Sequence, residues 1–298
     1  MDENAQELLL VRWTGLCNEH VLVFLNWCLP ILKDAGLIEP QSGFVLNLLG
    51  LSCHTTGESA LLLTRFGRVG DAEIVLRSVL EGTAKYLFLC TQDPSTRAER
   101  VEEYWNLLPE FDRLKRHERI AQFRSVIGDM SPSADTLREL LLSEEEAARL
   151  RAAYPRKQRQ ALAQRWSFTE IIRALALEIP GREAVGMLAH AYGASSHTTH
   201  QDADGTAMIW ERLRRGDERR ELIHLAHASR QVRDVFTFAM LRAIATYRIA
   251  QCDINPIKEF WAAQTPFLDE LTEAERAWWA VERQYSPPTY QPAPDAPE

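Results

Sequence analysis

Apolar residues recur every three to four positions along almost the whole chain, and neither an Asn-Gly turn nor a sustained two-residue alternation interrupts them. The pattern predicts an all-α multi-helix bundle. Helices are expected over 4–34 (bent around Pro30), 41–66, 71–92, 95–107, 110–127, 134–154 in two pieces, 167–178, 182–200, 206–252 with a break at Gly216, 256–264 and 272–284. Several starts are written chemically. Asp93-Pro94 places a cap before a proline in the first turn, while Ser143/Glu146, Ser167/Glu170 and Thr272/Glu275 each have capping-box spacing. Segment 46–89 reads as an antiparallel helical hairpin at the centre of the core, turning near Val69 or Gly70, and the helix ending near 252 reads as a long C-terminal element. Loops at 128–133 and around Pro155 frame an expected insertion over about 95–165 within one helical domain, 1–284. The remaining 285–298 carries Pro287, Pro288, Pro292, Pro294 and Pro297, a composition expected to be disordered.

Composition narrows the class without naming a task. Of 298 residues 46% are hydrophobic, enough for a sizeable core, and the net charge of -8 argues against coating nucleic acid or an anionic membrane by bulk electrostatics. An acidic N-terminus and an apolar run, Val21 to Leu32, too short to span a bilayer predict a cytoplasmic chain with no membrane partner. Cys17, Cys28, Cys53, Cys90 and Cys252 form an odd set without CxxC spacing, as expected of buried reduced thiols.

Two polar constellations stand out against this apolar background. The hairpin carries His54 and Glu58, and Arg77, Glu81 and Lys85, each set spaced by four and therefore stacked on one helical face. A turn near Val69 or Gly70 would set Glu58 level with Glu81 and His54 level with Lys85. Such a cluster either holds a ligand or tunes a proton donor, or is an internal ion network that fixes helix register. In the second constellation, Tyr192, Ser196 and His200 form one four-residue stripe, with His190 and His197 on its neighbour. Histidine supports acid/base or zinc chemistry, but neither His-Glu-x-x-His nor a paired Glu-x-x-His motif is present, so no metal or other cofactor is expected.

Together, Leu76-Arg77-Ser78-Val79-Leu80-Glu81 and the Tyr192/Ser196/His200 segment resemble a bacterial and archaeal family of helical proteins of unknown function, marked by an LLRSLLE-like helix and a YxxLSxxVH-like segment. The resemblance covers about 46–89 and 186–249, and departs at Ala194-Ser195, where the family has an apolar pair, and at Gln201-Asp202, where it has Pro-Ser. It implies that Arg77, Glu81, Tyr192, Ser196 and His200 meet. More distantly, a helical bundle joining Arg, Glu and His is similar to the HEPN ribonucleases of toxin and phage-defence systems. Those carry Arg and His on one helix, separated by four to six residues, a spacing that Arg219/His224 and Arg220/His227 match.

The resemblance implies metal-independent cleavage of a phosphodiester, with His200 or His224 as acid or base, Arg77 on the developing charge and Glu81 orienting Arg77. The alternative is a non-catalytic module in which the same groups hold an anionic ligand or meet a protein partner. Basic clusters at Arg113–Arg119, Arg149–Arg165 and Arg212–Arg220 would suit RNA or a nucleotide, although interleaved Glu and nearby helix ends also explain them. Trp261, Trp278 and Trp279 fit either a docking surface or the closing layer of the core.

Overall fold

The computed structural model describes residues 3–127, 141–178 and 216–285, with Gly186, Leu188, Ala189, Tyr192, Ala203 and Thr206 between them. It is all-α, and no strand occurs among the described residues. The order is α1 (Glu3–Lys33), α2 (Pro40–Arg65), α3 (Val69–Leu89), α4 (Pro94–Glu102), a π-turn (Glu103–Leu107) leading into α5 (Leu108–Ile127), α6 (Glu144–Ala153), α7 (Arg156–Arg165), α8 (Phe168–Glu178), α9 (Asp217–Ile249), α10 (Asn255–Ala263) and α11 (Thr265–Tyr285).

The core lies where α1, α2, α3 and α9 pack on one another, with α11 along α9 and α8 against α3. In α1 the buried seam is Leu10, Trp13, Cys17, Val21, Phe24, Cys28 and Leu32, the three-and-four spacing of a single helical face. Although Val21–Leu32 alone is short, the whole helix from Asn4 to Lys33 is long and apolar enough to cross a membrane, with hydropathy 1.3 over its best window. Core helices of soluble proteins pass the same test, and here the seam faces α2 and α9.

Local chemistry sets most helix ends. Asp93 accepts the Thr96 N–H at 2.8 Å, and Ser143 and Glu146 complete a reciprocal capping box. Ser167 only half fits its expectation: its hydroxyl accepts the Glu170 N–H, but Glu170 turns to Arg173 and Gln164. Thr272 is no cap. The helix begins about two turns earlier at Thr265-Pro266, and Thr272 sits inside it with its hydroxyl donating to the Leu268 carbonyl at 2.8 Å. The basic stretch after Pro155, read as loop, is helical because Arg, Lys, Gln, Ala and Leu all favour helix and proline fits at its start. Segments 128–133 and 286–298 lie outside the described residues, as does most of 182–200.

The expected insertion divides in two. Val101 belongs to the main core, and Arg100 donates to the Phe88 carbonyl at 2.6 Å, whereas Leu114, Leu142, Ala147 and Leu150 form a small core of their own.

The hairpin turn differs from its expected position. It centres on Gly67, at φ +69°, a left-handed conformation open to glycine, and Val69 and Gly70 already lie in α3. Gly82 therefore packs on Cys53 and Gly50 on Tyr86. The register moves by about one helical turn, bringing Glu81 level with His54 rather than with Glu58.

Candidate functional site

Arg77 projects from the middle of α3, its side chain only 11% exposed. Its Nε donates to Glu81 Oε1 at 3.1 Å, one helical turn on, and its Nη2 donates to the Tyr192 hydroxyl at 2.7 Å. The guanidinium also lies 4.4 Å from the centre of the Tyr192 ring, whose opposite face stacks on Phe168 at 3.9 Å. The structure thus brings Arg77, Glu81 and Tyr192 together, with the Tyr192 ring held between Arg77 of α3 and Phe168 of α8. Ser196, His197 and His200 lie outside the described residues, as does His190.

On α2, His54 is buried, with its Nε2 3.6 Å from Glu58 and its Nδ1 meeting no hydrogen-bond partner among the described residues. Burial holds its pKa below the ordinary histidine value, with nearby Arg242 acting in the same direction and Glu58 opposing. Lys85 forms no ion pair among the described residues. Beside the Arg77 cluster lies a network that the sequence reading missed: Arg230 of α9 joins Glu73 of α3 and, at 2.8 Å, Asp234. Burial pushes the Asp234 carboxyl up to about 6, against the opposing pull of Arg230, while Glu73 adds to the rise. The Arg230/Asp234 spacing of four was a legible signal; the partnership with Glu73, which crosses between helices, was not.

The HEPN-like spacing does not produce a convergent pair at Arg219 and His224. Arg219 turns to Glu282 of α11 at 3.1 Å. His224 turns the other way, towards α1 and the hairpin turn. Gln6 Nε2 donates to its Nδ1 at 2.9 Å and its Nε2 donates to the Gly67 carbonyl at 2.9 Å, so both ring nitrogens are occupied. The physical cause is angular: five positions along a helix rotate a side chain by about 140° from the first. His227 tilts against Trp278, their ring centres 6.2 Å apart.

Arg220 does share a face with His224, and both line an open cleft of about 400 Å³ between the start of α1, the α2–α3 turn and the start of α9. Arg65, Glu7, Glu221 and Phe66 complete its polar and aromatic lining. Phe66 is 70% exposed, an unusual setting for a phenyl ring. Arg65 forms no ion pair among the described residues.

Some members of the basic clusters face carboxylates: Arg151 lies 3.5 Å and Arg159 3.9 Å from Glu118, Arg113 lies 3.9 Å from Glu146, and Arg165 pairs with Glu103, while Arg212, Arg214 and Arg215 lie outside the described residues. Trp261 belongs to the core, stacked on Phe236 at 5.1 Å, whereas Trp279 remains half exposed.

No group of three potential metal ligands occurs among the described residues. Comparison of the chain with protein-family models, with curated proteins and with solved structures finds no match.

Proposed function

We propose that the chain is a binding module for a small anionic ligand of mononucleotide type, taken up in the cleft beside the hairpin turn. The cleft carries this reading. Its volume of about 400 Å³ falls in the range of small-molecule sites, and its lining combines the chemistries a nucleotide presents. Phe66 offers a face on which a base stacks, Arg65 and Arg220 offer guanidinium forks for phosphate, and Glu7 and Glu221 can accept hydrogen bonds from ribose or amino groups.

Binding is favoured over cleavage by the state of His224. With Gln6 donating to one ring nitrogen and the Gly67 carbonyl accepting from the other, the lone pair of the imidazole is already engaged and the ring anchors the cleft wall.

The test is calorimetric titration of the full chain with AMP, UMP and inorganic phosphate, alongside incubation with labelled RNA. A mononucleotide should bind saturably and more tightly than phosphate, and Arg220→Gln should weaken it by roughly tenfold or more, as expected for loss of a charge-assisted hydrogen bond. Absence of saturable binding refutes the proposal. Cleavage of the RNA that His200→Ala or His224→Ala abolishes would replace it with the ribonuclease reading.

A further inference from the structure

Arg242 of α9 is buried in the four-helix core, 7% exposed. Its Nη1 donates to the Thr83 hydroxyl at 2.5 Å, and no carboxylate pairs with it among the described residues. The guanidinium borders a cavity of about 30 Å³ lined by residues of α1, α2, α3 and α9.

The other groups around this cavity supply no negative charge. The Cys28 thiol is pushed up to about 11 by burial, and burial likewise keeps the Tyr86 phenol protonated while its hydroxyl hydrogen-bonds Thr246 at 2.6 Å. His54 is 8% exposed, and its Nδ1, like Asn47 Oδ1, meets no hydrogen-bond partner among the described residues. The opposite wall is apolar, formed by Phe24, Leu25 and Ala239. A buried guanidinium without a counter-charge is strongly disfavoured, because the protein interior cannot replace the solvation that water gives it.

We propose that this cavity is a binding site for a small monovalent anion, of halide to formate size, held by Arg242, by His54 through Nδ1–H and by the Asn47 amide turned to present its N–H₂ group. Size fixes the class. A water needs about 10–15 Å³ of such space, so 30 Å³ admits a halide or a formate but no sulfate and no carboxylate with an extended chain. The chemistry matches as well: a planar fork of donors, a neutral imidazole N–H and an amide meet one negative charge in a low-dielectric setting, where each such hydrogen bond is strengthened. The inference stands apart from the cleft, which lies at the other end of α9 and takes a larger ligand.

The experiment compares thermal unfolding of the full chain in sodium chloride, bromide and formate with sodium gluconate and sulfate at equal ionic strength, which holds surface screening constant. The melting temperature should rise saturably in the three small anions, by roughly 5 °C at a hundredfold excess over the dissociation constant, and not in gluconate, while sulfate, excluded from protein surfaces, should raise it only without saturation. His54→Leu should raise the half-saturating chloride concentration by about tenfold, and Arg242→Met should abolish the dependence. Because Arg242→Met removes a core donor and can fail to fold, crystals of the unaltered chain grown in bromide give an independent reading. An anomalous peak beside Arg242 is expected. Equal melting in all salts, a chloride dependence that survives in folded Arg242→Met, or only water beside Arg242 in bromide crystals overturns the proposal.

Discussion

Replacing Gly82 by alanine tests the hairpin register, on which the placement of every polar residue of α2 and α3 depends. A β-carbon built at Gly82 would lie 2.6 Å from Cys53 Sγ, well inside ordinary contact. Cys53 is 4% exposed, so its sulfur has little room to retreat. Overpacking of this kind costs about 1–3 kcal/mol, while alanine in place of glycine within a helix returns about 1 kcal/mol. The net expectation is a loss of up to about 2 kcal/mol, measured by urea denaturation at constant m-value. Cys53→Ala removes the obstructing sulfur. In the double variant Gly82→Ala should therefore become neutral or stabilising, giving a coupling of about 1–3 kcal/mol between the two sites. If Gly82→Ala alone stabilises the chain as at an open helical position, or if the two changes are additive, Cys53 and Gly82 do not face each other and the register is wrong.

Two further outcomes follow from the polar groups of α3 and α9. Glu81→Ala should lose only about 1 kcal/mol, since Glu81 is 35% exposed and Arg77 keeps both the Tyr192 hydroxyl and its ring; a loss above about 3 kcal/mol by the same denaturation assay would mean a fully buried pair. The Asp234 carboxyl should titrate at about 6 in carbon-detected NMR rather than near its ordinary value of about 3.9. A carboxyl raised by folding stabilises the native state in acid and loses that contribution as pH rises through about 4 to about 6, by on the order of 3 kcal/mol in all. Asp234→Asn should remove this component of the pH dependence, and titration near 3.9 would refute the burial argument.

The chain alone determined what depends on near neighbours in sequence. Helical periodicity fixes which residues of α1 face inward, and Asp93-Pro94 and Ser143/Glu146 start helices where they stand because a cap acts over three residues. The i to i+4 pairing of Arg77 with Glu81 was legible for the same reason. Their meeting with Tyr192 was suggested by resemblance alone, since no spacing rule reaches across 115 positions. Tertiary structure decided the rest. A single left-handed residue, Gly67, centres the hairpin turn and thereby shifts the level of its two helices. Likewise Arg242 looks from sequence like an ordinary basic residue near a helix end; three other helices packed around it make it a lone buried charge, because burial is a property of the surrounding elements and not of the residue's own helix.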